Sequence, residues 1–137
     1  MLINELVKEA HANAVNKGFW EEEKSFGEQV VLMHFELSEA IEEFRNGKGI
    51  AEIYTKCKME EIKNVGQGGC GVCKNCALNK PEGIPVELAD TVIRIFDTCG
   101  RYGIDLEQAI VTKMKYNEGG PHKHGKGNRS TYAKKRC

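Results

Sequence analysis

The sequence predicts an all-α fold: a four-helix-bundle core with a Cys/Gly-rich insert between the second and third helices. Three observations carry this: four apolar stripes at helical spacing, cap residues where those stripes start or stop, and no sustained alternation of the kind a strand needs. Leu2, Ile3, Leu6, Val7, Ala10 and Ala14 share one face of a first helix that runs to about Lys17 and stops at Gly18. Ser25 followed by Glu28 has the form of a capping box. After it, Phe26, Val30, Met33, Leu37, Ile41 and Phe44 carry a second helix to Asn46-Gly47. Pro85 suits the first turn of a third helix, on which Leu88, Ala89, Val92, Ile95, Phe96 and Cys99 make a broad apolar face ending at Gly100 or Gly103. Asp105 and Gln108 cap a fourth helix, with Leu106, Ile110 and Met114, as far as Gly119-Gly120-Pro121. The face of the third helix is wider than one neighbour covers, so oligomerisation is expected.

A chain of 137 residues has room for one domain with a hydrophobic core, with residues 46–85 as the insert and 119–137 as a basic tail. Charged residues make up 29% and cancel to zero, which gives no reason to expect nucleic acid or a membrane as partner. The charge is unevenly spread, however: Gly119 to Cys137 holds six Lys or Arg and no acid. No apolar run approaches the roughly 18–20 residues of a membrane span. The opening Met-Leu-Ile-Asn-Glu does not have the form of a signal peptide. The expected location is cytoplasmic, where clustered cysteines read as metal ligands rather than disulfides.

Residues 46–85 hold seven of the fifteen glycines and four of the six cysteines. A short helix over 50–62 and then a loop are expected there, with no strand. Cys57, Cys70, Cys73 and Cys76 suffice for a closed Zn²⁺ site. The Cys70-x-x-Cys73-x-x-Cys76 run also has the local form used for an iron–sulfur cluster, although Lys80 precedes Pro81 where the fourth cysteine of such a run would stand. A metal-free segment is the third reading. A 40-residue Gly-rich stretch without a staple would be loosely ordered, which favours a metal. Cys99 reads as a buried small hydrophobe, and His34 as a packing residue rather than a ligand. Trp20 either stacks on a base or covers the core.

Glu36 and Glu39 are three residues apart, as are Glu87 and Asp90, so each pair lies on one side of its helix. Glu43 and Asp97 continue the two strips, which flank the apolar stripes. Helices two and three packed side by side would bring four to six carboxylates together at the edge of the core. Such a set of hard oxygen ligands suits Mg²⁺ or Mn²⁺, and that chemistry suits phosphoryl transfer. On spacing alone, solvent-facing acids on amphipathic helices remain the simpler explanation.

The wording around these pairs, Glu36-Leu-Ser-Glu39 and Gly-Ile-Pro-Val-Glu87-Leu-Ala-Asp90-Thr-Val-Ile-Arg-Ile-Phe-Asp97, resembles the MazG-like family of all-α nucleoside triphosphate pyrophosphohydrolases. Tyr102-Gly-Ile-Asp-Leu-Glu107, Lys113-Met-Lys-Tyr-Asn117 and His122-Lys-His-Gly-Lys126 extend the likeness, which covers roughly residues 2–47 and 82–126. The resemblance implies a four-helix core, commonly dimeric or tetrameric, with Glu36, Glu39, Glu87 and Asp90 as Mg²⁺ ligands. It further implies hydrolysis of a nucleoside triphosphate to monophosphate and pyrophosphate. Lys113 and Asn117 would face the nucleotide, and Lys123, His124 and Lys126 would lie near the triphosphate. Glu39 or Glu43 would take the proton of the attacking water.

Two departures stand out. Gly120 replaces the Arg that often precedes the Pro of the tail, a contact for which Arg129 is the candidate substitute, and 47 residues separate Glu39 from Glu87, longer than is usual. A related activity on phosphoribosyl-ATP is a variant of the same expectation. The competing class is a non-enzymatic module, a cysteine–metal knuckle with a basic tail that docks on nucleic acid or protein. That class leaves the paired acids without a role.

Overall fold

A computed structural model describes residues 2–57 and 79–120, and helix dominates them. Helix α1 spans Ile3–Asn16, α2 Phe26–Arg45, α3 Ile84–Tyr102 and α4 Leu106–Gly119. Two short strands, β1 (Tyr54–Cys57) and β2 (Asn79–Glu82), stand between α2 and α3. The mostly helical reading therefore holds, with a small sheet added to it.

The helix ends sit where local chemistry puts them. At the start of α2 the Ser25 hydroxyl accepts from the Glu28 N–H at 3.2 Å, and the Glu28 carboxylate accepts from the Ser25 N–H at 2.6 Å. That reciprocal pair satisfies two otherwise orphaned donors. At α4 the Asp105 carboxylate accepts from the Gln108 N–H at 3.0 Å. Helix α3 has Pro85 in its first turn and ends on Gly103 at φ 64°, a left-handed position that costs glycine nothing.

The expectation of a helix over 50–62 without any strand is corrected: residues 54–57 form a strand paired antiparallel with β2. The register sets Tyr54 opposite Glu82, Thr55 opposite Pro81, Lys56 opposite Lys80 and Cys57 opposite Asn79. Tyr and Thr favour extended backbone, and a two-stranded ribbon consists of edges, where a proline is tolerated. The two strands are far apart in sequence, so no short-range pattern announces them.

Helix α3 is central, with α2 packed along one side and α1 along another, while α4 leans on α1. Helices α2 and α3 run antiparallel: Phe26 meets Tyr102 edge-on at 5.7 Å between ring centroids, and Glu36 pairs with Arg94 midway. The buried residues along their seam are Gln29, Glu36 and Ala40 on α2 and Glu87, Thr91 and Thr98 on α3. Most of these are polar. The Thr91 and Thr98 hydroxyls return their hydrogen bonds to the carbonyls one turn earlier, at 3.0 and 2.9 Å.

The apolar stripes lie elsewhere. Leu37, Ile41 and Phe44 on α2 are 41–60% exposed, and Leu88 and Val92 on α3 are 47 and 43% exposed. At roughly 100° per residue, both sets sit about a quarter-turn or more round from the seam, in the same rotational sense. In an antiparallel pair that sense puts both stripes on one side of the two helices. Helix α1 occupies the other side, where Gly100 lets it come close: a Cβ there would stand 2.5 Å from the His11 Cβ. Among the described residues only Val7, Ala40, Ile84 and Cys99 are buried apolar side chains, and none is fully enclosed. The described residues thus leave much of their apolar surface exposed.

Candidate functional site

The acidic residues converge where α2 and α3 face each other near the hairpin. One carboxylate oxygen from each of Glu36, Glu39 and Glu87 lies within 4.8 Å of the others. Glu36 and Glu87 are buried, at 9 and 4% exposure, whereas Glu39 is exposed at the rim. Asp90 does not join that group, but its charge is felt by Glu87, and it feels Glu36 and Glu39 in turn.

The electrostatics of this arrangement are unfavourable as it stands. Burial, and then the Glu39 carboxylate hydrogen-bonded to it, push the pKa of Glu87 up to about 7; Asp90 and Glu82 add to the effect. Burial also raises Asp90, with Glu36 adding, while Lys80 and Arg94 pull the other way. Two carboxyl groups that share a hydrogen bond need a proton or a cation between them. Three oxygen donors at this spacing, partly shielded from water, fit a hard divalent ion and offer nothing to a soft one.

Two cations border the acids. The Arg94 Nε donates to a Glu36 oxygen. On β2 the Lys80 ammonium lies 3.0 Å from Glu82. Glu43 is engaged differently: the Tyr54 hydroxyl lies 2.9 Å from both of its carboxylate oxygens. Burial and that carboxylate raise the Tyr54 pKa to about 12, so the phenol remains a donor. Asp97 has left the acidic strip as well. Its Oδ1 is 2.7 Å from the His11 Nδ1 and accepts from the Trp20 indole N–H at 2.9 Å.

Beside the acids, α1 and α2 diverge over α3 and leave a cavity of about 570 Å³. Glu36, Asp90 and Arg94 line one part, Trp20, Phe19 and Phe96 another, and Lys17 and Lys24 also border it. Trp20 is fixed there by Asp97, by His11 packed edge-on at 5.8 Å between ring centroids, and by the Arg101 guanidinium over its ring at 4.9 Å. Two of the acids, Glu36 and Asp90, thus share one cavity with an aromatic wall.

Compared with known proteins, the chain matches no family model, no curated protein and no solved structure.

Of the residues singled out in the sequence, Glu36, Glu39 and Glu87 are brought together, with Asp90 beside them. Lys113 and Asn117 are not brought to them within one chain. They lie on α4, where the Lys113 ammonium sits 4.7 Å over the Tyr116 ring and borders a separate shallow hollow with Asp105 and Gln108. Lys123, His124, Lys126 and Arg129, like Cys70, Cys73 and Cys76, lie outside the described residues, as does the side chain of Cys57. Cys99 is buried, and burial raises its thiol pKa. His34 is on the exposed side of α2. Sequence reasoning gave no role to Arg94, Tyr54, Glu82 or Lys80. Arg94 had a detectable signal, since it follows Glu87 by seven residues, two helical turns on the same side. The hairpin residues had none. Among the described residues, no helix is long and apolar enough to cross a membrane.

Proposed function

We propose that this chain is a MazG-like all-α nucleoside triphosphate pyrophosphohydrolase, hydrolysing its substrate to a nucleoside monophosphate and pyrophosphate. The observation that carries the proposal is the convergence of Glu36, Glu39 and Glu87 within 4.8 Å, beside a cavity of nucleotide size that Glu36 and Asp90 line. Glu36, Glu39 and Glu87, with Asp90 adjacent, would hold Mg²⁺ or Mn²⁺. When bound, the ion neutralises phosphate charge and activates the anhydride toward water.

The chain's own residues do the rest. Water adds to a phosphorus next to the α–β bridging oxygen, the bond from that phosphorus to the oxygen breaks, and monophosphate and pyrophosphate separate. The proton of the water passes to a carboxylate. Glu39 is better placed than Glu43 for that task, because it is exposed at the rim while the Tyr54 hydroxyl occupies Glu43. The Trp20 wall supports a base-binding role for the far part of the cavity. The cysteine set remains proposed as a Zn²⁺ or iron–sulfur site.

A panel of unmodified and modified ribo- and deoxyribonucleoside triphosphates, incubated with Mg²⁺ or Mn²⁺, is expected to release pyrophosphate in equal amount to monophosphate. Release of inorganic phosphate alone, or cleavage of nothing in the panel, would refute the assignment.

The same proposal includes a second copy of the chain over the exposed stripe of α2 and α3. Phe26, Leu37, Ile41, Phe44, Leu88, Val92 and Tyr102 are 41–60% exposed. At roughly 150–200 Å² per large side chain they offer on the order of 600 Å² per protomer, close to the ~800 Å² each partner contributes to a stable interface. Covering that stripe with its own copy would complete a four-helix bundle. Ile41→Asp is accordingly expected to convert an assembly seen by light scattering into monomer or to prevent folding. A wild-type protein that is monomeric at micromolar concentration excludes this part.

A further inference from the structure

We propose that Lys80, at the base of the cysteine-rich segment, binds the phosphate chain of the nucleotide at this acidic centre and acts as the counter-cation of the centre when no metal is bound. The inference rests on the reading of the carboxylates as a metal–triphosphate site.

The placement of Lys80 is built from several independent contacts. Helix α3 begins with Ile84, buried at 7% exposure, so the strand just before it is fixed relative to Glu87. Gly83 joins the two at φ 120°, where a Cβ would stand 2.3 Å from the Glu52 carbonyl oxygen; only glycine permits backbone to pass backbone so closely. The partner strand is moored to α2 through Tyr54 and Glu43. On this frame Lys80 reaches Glu82 at 3.0 Å, and Glu82 is itself buried at 7% exposure.

That leaves the ammonium with unused donors. Its side chain is 51% exposed, and an ammonium has three N–H groups, of which the Glu82 contact takes one. The charges it feels beyond Glu82 are those of Glu87 and Glu39, and Asp90 feels Lys80 in return. Two other nearby lysines face the Tyr54 ring: Lys48, just after α2, lies 4.0 Å and Lys56, on β1, 5.8 Å from its centre. Arg94 already spends its Nε on Glu36. Arg94, Lys17 and Lys24 border the cavity on the side of Glu36 and Asp90; Lys80 is the described cation with free donors that approaches Glu87 and Glu39 from the hairpin. In the metal-free protein it offsets their charge. Once divalent ions do that, its attraction turns to the triphosphate, for which a compact ammonium is a strong partner.

The two roles predict effects of opposite sign, which a merely structural lysine would not produce. In full-length Lys80→Gln, calorimetric titration with MgCl₂ alone is expected to show binding about threefold tighter, because a competing cation has gone. In the same variant KM for the nucleotide is expected to rise about tenfold, the loss of one charge-assisted hydrogen bond. Lys80→Arg should keep both values near wild type; metal-free Lys80→Gln should melt lower than wild type, because the acids and buried Glu82 lose their counter-cation, and Lys80→Arg should restore the wild-type midpoint. Unchanged Mg²⁺ affinity and KM in Lys80→Gln overturn the proposal while leaving the hydrolase reading intact. A loss of stability that Lys80→Arg does not rescue overturns it in favour of a structural lysine. A wild-type protein that cleaves no nucleotide removes both, and does so before any variant is made.

Discussion

Replacing Glu87 by Gln is expected to reduce nucleotide cleavage about a thousandfold while raising the melting temperature of the metal-free protein. The loss corresponds to about 4 kcal/mol of transition-state stabilisation, the scale on which a bound divalent ion acts at phosphoryl oxygens. The gain has a separate cause. Glu87 is 4% exposed and faces Glu39, Asp90 and Glu82, so its ionised form is both desolvated and repelled. Glutamine keeps the shape, can donate to Glu39, and carries no charge. A rise of a few degrees is expected, since ~1 kcal/mol moves the midpoint of a domain this size by about 3–4 °C. Activity measured as pyrophosphate release and melting followed by circular dichroism test the two halves. If activity and stability fall together, the acids are scaffolding and the metal-centre reading is lost.

The pH dependence should be as large and has a definite sign. Glu87 titrates near 7 in the folded chain against an ordinary 4.5. Between those values the folded state holds a proton that the unfolded state has released, so folding stability must fall as pH rises through the window. The raised Asp90 acts in the same direction. Glu28 and Asp105 act oppositely: caps lower both, and their stabilisation is lost only as pH drops below the ordinary carboxylate range. Metal-free protein should therefore melt at a higher temperature near pH 5 than near pH 7.5. Saturating Mg²⁺ should remove that trend, because the ion binds the folded, deprotonated cluster. Apparent Mg²⁺ affinity should increase by up to about tenfold per pH unit below 7 and level off above it. Calorimetric titrations at several pH values settle this, and an affinity that does not change with pH would contradict the proton-loaded cluster.

The helices were legible because their signals are local. The Ser25 and Glu28 capping box, Asp105 before Gln108, and Pro85 in a first turn each act within a few residues, and each is found where it was read. The carboxylate pairs were legible for the same reason, since i and i+3 share a side of any helix. The apolar stripes are less direct: Leu37, Ile41 and Phe44 are exposed, and the seam between α2 and α3 is made of Gln29, Glu36, Ala40, Glu87 and two threonines. Periodicity marks which side of a helix is apolar and does not say whether its own chain or another covers that side. The hairpin was illegible because its strands are only four residues long and pair across the whole insert. Lys80, Glu82 and Tyr54 come to the acids only through that pairing.

The hairpin also settles how freely the sequence beyond it can change. Cys57 and Asn79 are cross-strand partners, so the 21 residues between them leave and re-enter at one point. A loop whose ends are already joined adds only about 0.6 kcal/mol of closure entropy for each doubling of its length. The helices and the acids therefore take no strain from what the ribbon carries. Changing the length of this segment is therefore expected to leave the pairing of Cys57 with Asn79, and the acids behind it, in place.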